Sequence, residues 1–458
     1  VPTYALQSRV EDTVMDDLTG LMGTEWECAA CGEPHRLNVR ETIVGSGALM
    51  QLPGVVARHS GSRHVAVLSD ERTHVAAGRR VLSLLQGAGL QVDSFVLTNP
   101  DAEGHGPVCD DTTHAQLSAE LPEAPCYIAV GSGVVSDLTK WAAFDRNAPY
   151  IAVATAASMN GYASDNVAPT LRGVKTLLHG RGPVAVVGDL DVLREAPHEM
   201  TAAGLGDVLA KSVSTVDWHL NRLLFGEFFC PFCAGLIDGI EPIYMGAPED
   251  IGEHTVAGIE ALFQALIYTG FAMSIAGTSA PASGGEHLVS HTLDMMALRD
   301  GVEHDLHGRQ VGVGTILGAA LYGEIAAVEE ATFVPPEEKA TDRAFWGRFT
   351  EVVEEKHAGK RERARMAAAK MASAPELWES IRTDLAATVH APEVVKDCLR
   401  RAGAAHRLRD IGVTRERILD VLSHCHEIRE RFTVIDLARA VGILPGKAEE
   451  LVDRWLID

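Results

Sequence analysis

The segment CYIAVGSGVVSDLTK, residues 126–140, leads from a short apolar run through a glycine-containing turn into a helical pattern. Residues 126–130 are all apolar, as in a strand that is buried on both faces of a parallel sheet. Gly131 and Gly133 follow at once, and the residues after them have helical apolar spacing. The segment therefore predicts a strand–turn–helix unit, which is the repeating element of an open α/β sheet.

Similar apolar runs flank this unit on both sides and alternate with helix-like stretches. Each run is short and rich in Val, Ile or Ala, and the four lie at residues 64–70, 92–98, 150–158 and 183–189. Beyond about residue 196 the pattern becomes helical, including a charged stretch at 336–372 that is predicted to be a solvated helical insertion. The sequence thus predicts an α/β N-terminal domain over residues 1–195, with a Rossmann-like parallel sheet, and an all-α C-terminal domain over residues 196–458. A cleft between the two is the expected place for chemistry.

The glycine turn has two interpretations. Gly131 and Gly133 could let the backbone approach a phosphate at the positive end of the following helix, or they could simply make a tight turn. The turn departs from the dinucleotide-binding GxGxxG pattern, because Ser136 occupies the third glycine position and the turn follows the third predicted strand. The motif alone is therefore a weak indication of nucleotide binding.

Composition limits the classes of partner. The 458 residues carry a formal net charge of −23, which disfavours non-specific binding to nucleic acid or to an anionic membrane surface. No run of about 18 apolar residues is present, so no membrane span is expected. The first residues lack a basic stretch followed by an apolar one, and a cytoplasmic location is expected.

Eight cysteines include two CxxC pairs, CAAC from Cys28 and CPFC from Cys230, with His35 shortly after the first. Two such pairs could hold a structural zinc, and CPFC could be redox-active. About 200 residues separate the pairs, however, whereas zinc-ribbon spacing is far tighter. Reduced, partly buried thiols are the interpretation that the spacing favours.

The stretch GGEHLVSH, residues 284–291, places His287 and His291 four residues apart on one helical face. His307 opens HGRQVGVG at a second loop-to-helix boundary, and Asp207 in AGLGDVLAK could add a carboxylate, with Lys211 one turn later. Two histidines and one carboxylate suit zinc or ferrous iron with an open coordination position. The alternative for each histidine is a packed or solvated side chain without a ligand.

Seven segments, spanning about residues 28–445, resemble the superfamily of glycerol dehydrogenases, iron-containing alcohol dehydrogenases and dehydroquinate synthases. They are CAACGEPHRLNVRETIVGSGAL, GSGVVSDLTKWAAF, ATAASMNGYAS, PVAVVGDLDVLREAPHEMTAAGLGDVLAK, SGGEHLVSHTLDM, HGRQVGVGT and RERFTVIDLARAVGIL. Within that superfamily, the chain is most similar to sn-glycerol-1-phosphate dehydrogenases. The resemblance implies a dehydroquinate synthase-like fold, with a nucleotide-binding α/β domain and a helical domain.

The resemblance also implies roles for individual residues. The metal ligands would be Asp207, His287 and His307, with His291 beside them in contact with substrate. The pyrophosphate loop would be formed by Gly131, Ser132, Gly133, Asp137 and Lys140. Thr155 and Ser158 would reach toward the nicotinamide, and Asp70 toward the adenosine end. The family pattern usually has Asp where this chain has Asn160, a substrate-contacting position at which Asn keeps hydrogen bonding but removes a negative charge.

The implied activity is hydride transfer at C2 between dihydroxyacetone phosphate and sn-glycerol 1-phosphate, or a close polyol phosphate. It would use NAD or NADP and one divalent metal, with zinc first and nickel or iron as alternatives. Lys211, His291 and Lys175 would contact the substrate phosphate, and the protein would form a homodimer or larger homo-oligomer. Two other functions are a cyclase or lyase that recycles bound NAD, as in dehydroquinate synthase, and a nucleotide-binding homologue without catalysis.

Overall fold

A six-stranded parallel sheet underlies the N-terminal half of the chain in the computed structural model, which describes residues 18–98, 106–171, 174–336 and 340–457. The strands are β1 (Glu41–Gly45), β2 (His64–Asp70), β3 (Gln91–Leu97), β4 (Tyr127–Gly131), β5 (Tyr150–Ala154) and β6 (Ala185–Asp189). They lie in the order β1–β6–β5–β4–β2–β3, and every neighbouring pair is parallel. This confirms the predicted α/β class.

Five of the six strands coincide closely with the apolar runs predicted from the sequence. Strand β1 was not predicted, and it lies at the edge of the sheet beside β6. All five of its residues are only partly buried, so its sequence lacks the continuous apolar run of the inner strands. Two short strands, Asn166–Val167 and Leu178–His179, pair antiparallel outside the sheet.

Helices connect these strands and make up most of the rest of the chain. Those of the N-terminal half are α1 (Leu52–His59), α2 (Arg79–Gly87), α3 (Asp111–Glu120) and α4 (Gly133–Asp145). The later ones are α5 (His198–Leu209), α6 (Lys211–Phe225), α7 (Pro231–Met245), α8 (Val256–Ala276), α9 (Gly285–Asp300), α10 (His307–Ala326), α11 (Thr350–Ser373), α12 (Pro392–Arg401), α13 (Arg415–His424), α14 (Val434–Ala440) and α15 (Ala448–Leu456). Among the residues that the structure describes, no strand follows β6, as the sequence predicts.

The chain forms two compact units, and each unit is made of several segments that are not continuous in sequence. The first contains the described residues up to 171 together with 176–201 and 230–279, and the second contains 174–175, 202–229 and the described residues from 280 onward. Helices α7 and α8 therefore group with the sheet. A Cβ added at Gly188 of β6 would lie 2.2 Å from the Phe263 ring of α8, which shows how closely that helix packs. The predicted domain boundary after residue 195 places both helices in the C-terminal domain and stays a prediction.

Helix α8 is long and apolar enough to cross a membrane by length and composition alone. However, 67% of its most apolar window is buried within the protein. Both of its ends carry the caps that are common in globular proteins. The Thr255 side chain accepts a hydrogen bond from the Gly258 amide at the start, and Gly277 adopts the left-handed conformation at the end. These features are those of a core helix.

Candidate metal centre and nucleotide turn

Two glycines bring helices α5 and α10 into close contact in the second unit. A Cβ at Gly206 would lie 2.0 Å from the Gly308 carbonyl oxygen, and one at Gly308 would lie 2.0 Å from the Ala203 carbonyl oxygen. Neither position can therefore carry a side chain without moving backbone. Asp207 and His307 are the direct chain neighbours of these glycines, so the crossing sets their side chains near one another.

Asp207, His287 and His307 each offer one donor atom, and the three atoms lie within 4.8 Å of one another. The His287 Nε2 is 3.8 Å from the Asp207 Oδ1, and the rings of His287 and His307 are 5.1 Å apart between centroids. The structure thus brings together the three residues that the sequence suggests as ligands. Two imidazoles and a carboxylate are a donor set that fits zinc or ferrous iron, so the residues present fit a divalent metal.

Both histidines of this set have an acceptor for the ring nitrogen that would face away from a metal. The His287 Nδ1 lies 2.7 Å from the Glu286 Oε1, and the His307 Nδ1 lies 2.9 Å from the Ser290 Oγ. A proton held on each Nδ1 leaves Nε2 as the lone-pair atom. Such outer partners fix the tautomer and ring orientation of metal-ligating histidines.

The electrostatics of the cluster favour neutral imidazoles. Burial lowers the pKa of His287 and of His291 well below the usual histidine range and lowers that of His307 as well. His307 and Lys211 add to the lowering of the His287 pKa, whereas the Asp207 carboxylate opposes it. Neutral imidazole is the form that ligates metals, so at neutral pH these histidines can bind a cation without first losing a proton.

His291 lies one helical turn from His287, and its ring is stacked on that of His307 at 5.2 Å. Its Nδ1 is buried and has no hydrogen-bond partner among the residues that the structure describes. A buried nitrogen without a hydrogen bond destabilises the protein. A hydrogen bond from a bound molecule to this nitrogen would remove that cost. His291, Asp294 and His307 form a second group of three donors, so His307 belongs to both possible sets.

Lys211 is fully buried and its ammonium group binds protein oxygens. The Nζ donates to the carbonyl oxygens of Asp207 at 2.7 Å and Ala282 at 3.1 Å, and lies 3.6 Å from the Asp207 Oδ1. The sequence-based prediction gave this lysine to the substrate phosphate. In the structure it links α5 to the segment before α9, which positions two of the proposed ligands, and the phosphate contact stays a prediction.

Helix α9 begins at a network of buried carboxylates. The Glu286 Oε1 accepts from the Gly284 amide at 2.6 Å, and the Asp217 Oδ2 accepts from the Gly285 amide at 2.7 Å. Asp217 also accepts from Tyr322 and from the Val434 amide. The free amides at the helix start are thus satisfied by carboxylates, and the backbone that carries His287 is held from two sides.

In the first unit, the glycine turn joins β4 to α4 as predicted. A Cβ at Gly131 would lie 2.4 Å from the Val135 Cβ, so the turn requires glycine there for steric reasons. Ser132 precedes the first residue of α4, and its Oγ lies 2.5 Å from the Ser158 Oγ. The turn therefore presents a helix start with two bonded hydroxyls, an arrangement that can accommodate a phosphate.

Neighbouring parallel strands place other predicted cofactor residues at the same edge of the sheet. Strands β2 and β5 flank β4, and Asp70, Gly131 and Thr155 stand at or just after their carboxyl ends. Ligands of open α/β sheets bind outside this edge, so the position fits the predicted nucleotide site. The Asp70 carboxylate accepts from the Thr73 amide at 2.7 Å and caps a short helical turn.

Asp137 and Lys140 have structural partners. The Lys140 Nζ is fully buried and donates to the carbonyl oxygens of Gly161 and Asn166 at 2.9 and 2.7 Å. The Asp137 Oδ2 accepts from the Ala168 amide at 3.1 Å. These contacts brace the loop after β5, in which Asn160 begins a short 3-10 turn. Asp137 and Lys140 are residues of α4, and their side chains thus hold the loop that follows β5 in place.

Sequence reasoning missed the outer residues of the metal cluster. Glu286 stands directly before His287 in the chain, and Ser290 directly before His291, yet neither residue type is a signal by itself. Arg429 and Arg431 reach the same region from the C-terminal segment, where they bond to the Ser283 hydroxyl and carbonyl. Only the segment RERFTVIDL, noted above for its resemblance, marks them in the sequence.

We expect Glu286→Gln to weaken metal binding by about 10- to 100-fold, the usual cost of losing a carboxylate partner of a ligating histidine. The substitution keeps the size of the side chain but removes its charge and its ability to accept at both oxygens. Competition with a fluorescent chelator measures the affinity. Glu430→Gln, at an exposed position, is the matched control. Unchanged affinity in Glu286→Gln would contradict a positioning role for this carboxylate.

Comparison with known proteins places the fold in a defined class. The sequence family described as iron-containing alcohol dehydrogenase matches residues 43–197. Among solved structures, a probable glycerol dehydrogenase from Sinorhizobium meliloti aligns with a TM-score of 0.60 over 90% of this chain and 98% of its own, at 16% identity. A sulfoacetaldehyde reductase from Bifidobacterium kashiwanohense, solved with NAD+, aligns with a TM-score of 0.58 over 92% and 98%, also at 16% identity. The fold is that of this dehydrogenase class.

Curated relatives narrow the class to one family. A glycerol-1-phosphate dehydrogenase [NAD(P)+] of Halalkalibacterium halodurans is 37% identical over 310 residues, covering 67% of this chain and 76% of that protein. A protein of the same name from Bacillus licheniformis is 29% identical and covers 94% and 97%. Another from Pyrococcus furiosus is 34% identical and covers 62% and 79%. The chain belongs to the glycerol-1-phosphate dehydrogenase family.

Proposed function

We propose that the protein is an NAD(P)-dependent, metal-requiring oxidoreductase that interconverts dihydroxyacetone phosphate and sn-glycerol 1-phosphate. The observation that carries this proposal is the Asp207, His287 and His307 set, with both histidines held at Nδ1, in a chain whose relatives bear that name. A divalent metal bound there would supply Lewis-acid polarisation of the substrate oxygens. The nicotinamide cofactor would carry the hydride, so the protein has to bind, orient and exchange protons.

The residues of the chain have separate tasks in this proposal. Gly131, Ser132 and Gly133 would receive the cofactor pyrophosphate at the start of α4. His291 would exchange the hydroxyl proton of the substrate, because its neutral ring has a buried nitrogen without a partner among the described residues. Asn160 would supply hydrogen bonds to a substrate hydroxyl without adding a negative charge.

The cations around the histidine cluster suit a phosphorylated substrate. Lys175 and Arg429 both disfavour protonation of His291, which places their positive charges within electrostatic reach of it. Both residues are only partly buried, unlike Lys211. Arg429 donates to the Ser283 Oγ at 2.8 Å, which leaves further guanidinium N–H groups for an anion. We therefore propose Arg429 and Lys175 as the phosphate contacts, with Lys211 in a positioning role.

Oxidation of NADH and NADPH in the presence of dihydroxyacetone phosphate tests the proposal directly. Metal-stripped protein would be reconstituted separately with Zn²⁺, Ni²⁺ and Fe²⁺. Activity with at least one metal is expected, and the product should resist oxidation by a dehydrogenase specific for sn-glycerol 3-phosphate. No turnover with any metal, in protein that binds metal and cofactor, would overturn the proposal. Bound NAD that survives purification without net redox turnover would instead favour a cyclase or lyase.

Arg429→Gln is expected to raise the KM for dihydroxyacetone phosphate and to leave turnover of unphosphorylated dihydroxyacetone unchanged. Loss of a hydrogen bond between charged groups costs about 1.5–3 kcal/mol, or roughly 10- to 150-fold in KM. Steady-state kinetics with both ketones separate the two effects. Arg417→Gln, which breaks a surface pair with Asp300, is the control. Equal losses with both ketones would show that Arg429 does not recognise the phosphate.

Three finer assignments are also proposed. Zinc is the proposed metal, because two histidines and one carboxylate with an open position form a frequent catalytic zinc site. The proposed assembly is a homodimer or larger homo-oligomer, which light scattering during gel filtration would measure. The proposed location is the cytoplasm, in agreement with the use of a soluble cofactor and a small phosphorylated substrate.

A further inference from the structure

The first unit contains another cluster of metal-ligating side chains, made of the first CxxC pair, the first cysteine of the second pair and a histidine. Cys28, Cys31, His35 and Cys230 each offer one donor atom, and these four atoms lie within 4.8 Å of one another. The two pairs stand 202 residues apart in sequence, yet the fold brings them together. The spacing argument considered one continuous motif only, whereas the fold brings together residues from both pairs.

The distances match a single tetrahedral ion. The Sγ atoms of Cys28 and Cys230 are 3.9 Å apart, and the edge of a tetrahedron with Zn–S bonds of about 2.3 Å is about 3.8 Å. The His35 Nε2 lies 3.2 Å from the Cys31 Sγ and 3.3 Å from the Cys230 Sγ, so it faces the same point. A disulfide needs sulfurs about 2 Å apart, and all eight cysteines are free.

The local backbone explains how three of the donors converge. Strands Glu25–Glu27 and Pro34–Arg36 form a hairpin, with Cys28 and Cys31 in its turn and His35 on the second strand. Gly32 has a φ of 76°, which lets its amide bond back to the Cys28 carbonyl at 2.7 Å and folds both cysteines toward one side. The turn therefore holds Cys28 and Cys31 in positions from which both sulfurs can bind one ion.

The fourth donor comes from a different element. Cys230 is the residue before α7, where the positive end of a helix stabilises a thiolate. Trp26 of the hairpin packs edge-on against His35 and against Phe232 in the first turn of α7, which encloses the cluster with apolar rings. A two-stranded hairpin with strands of three residues is marginal alone. A shared ion would fasten it to α7.

We propose that Cys28, Cys31, His35 and Cys230 bind one structural zinc ion that links the N-terminal hairpin to helix α7. Four protein ligands leave no open position, so the site holds structure and does not take part in the hydride transfer. Cys233 is fully buried beside Cys230 and serves as a hydrogen-bonding neighbour of the Cys230 sulfur. On binding, each coordinating thiol releases its proton to solvent, and no oxidation state changes.

Metal content of the purified full chain tests the proposal. Parent protein prepared with zinc and a reductant should hold two molar equivalents per chain by mass spectrometry of the metals. Cys31→Ser and His35→Ala should each lose one equivalent, while His287→Ala loses the other. After cobalt substitution, thiolate-to-cobalt charge-transfer absorption should persist in His287→Ala and disappear in Cys31→Ser. A parent with one equivalent, lost entirely in His287→Ala, would overturn the proposal.

Two matched variants define the ligand set. Cys233→Ser and Cys398→Ser should both keep two equivalents of zinc. Cys233 hydrogen-bonds to the Cys230 sulfur without ligating the ion, and Cys398 lies in α12, outside the cluster. If Cys233→Ser loses the ion and His35→Ala keeps it, the assignment of His35 is wrong. Titration of the parent with a mercurial should release zinc as the thiols react, which needs no variant to fold. Iron with acid-labile sulfide, or a Cys28–Cys230 disulfide in fresh protein, would also overturn the proposal.

Discussion

His287→Ala is expected to lose one metal equivalent and to lower kcat/KM on the order of a thousandfold or more, because Lewis-acid stabilisation supplies several kcal/mol. The argument rests on where the ring points. Its Nδ1 is held by Glu286, and its Nε2 faces the Asp207 carboxylate at 3.8 Å, so truncation removes one of three donors without disturbing the other two. Metal analysis, cobalt absorption and steady-state kinetics on the same preparation measure both effects.

His291→Ala is the matched control for this prediction. It removes an imidazole one turn along the same helix, with comparable burial, and is expected to keep the metal while lowering kcat by about 100-fold through loss of proton exchange. Full metal retention in both variants would refute the assignment of His287. Loss of the metal from His291→Ala instead would move the site to His291, Asp294 and His307, the overlapping donor group.

The strands and the ligand set were predictable from sequence for different reasons. Inner strands of a parallel sheet are buried on both faces, so they read as apolar runs, and strands β2, β4, β5 and β6 were found in this way. The edge strand β3 is partly exposed but still contains enough apolar residues to be predicted. The edge strand β1 is half-buried and lacks that signal. Asp207, His287 and His307 were suggested by residue type beside loop-to-helix boundaries, but the sequence does not show why they meet. Gly206 and Gly308 let α5 approach α10, and Gly314 of α10 lies against the Glu286 carbonyl of α9.

What the sequence could not reveal is which polar groups are buried. Lys140 and Lys211 were predicted to contact ligand phosphates, and nothing in the sequence indicates that both ammonium groups donate to protein carbonyls. The prediction of a solvated helix in the charged stretch was wrong for one face of α11, because His357 and Lys360 are buried there and Lys360 pairs with Asp436 at 2.6 Å. Charge indicates exposure on average, but a partner distant in sequence reverses it.

The cluster of Cys28, Cys31, His35 and Cys230 shows a related limit: the sequence does not reveal that residues far apart in the chain meet. Each CxxC pair has the spacing of half a metal site, but a sequence does not show that two halves separated by an entire α/β sheet will meet. The hairpin and α7 belong to the same unit because residues 230–279 return to the sheet after the chain has left it. A pattern search restricted to short windows therefore misses the cluster, whereas the fold shows it at once.

Lys211→Met is expected to destabilise the protein strongly, by about 3–5 kcal/mol in the free energy of unfolding, the usual cost of removing one partner from a buried charged network. The substitution leaves the carbonyls of Asp207 and Ala282 without this donor and removes the cation that lies 3.6 Å from the Asp207 Oδ1. Urea unfolding of metal-free protein, followed by circular dichroism, measures the effect without a contribution from the ion.

Lys447→Met is the matched control, because Lys447 also pairs with a helical carboxylate, that of Glu324, but does so at the surface, where removal costs at most about 1 kcal/mol. If Lys211 instead binds the substrate phosphate, Lys211→Met would unfold at the urea concentration of the parent and would show a raised KM for dihydroxyacetone phosphate alone. A large loss of stability together with weaker metal binding would place Lys211 in the framework of the site, since the carbonyl that it holds belongs to Asp207 itself.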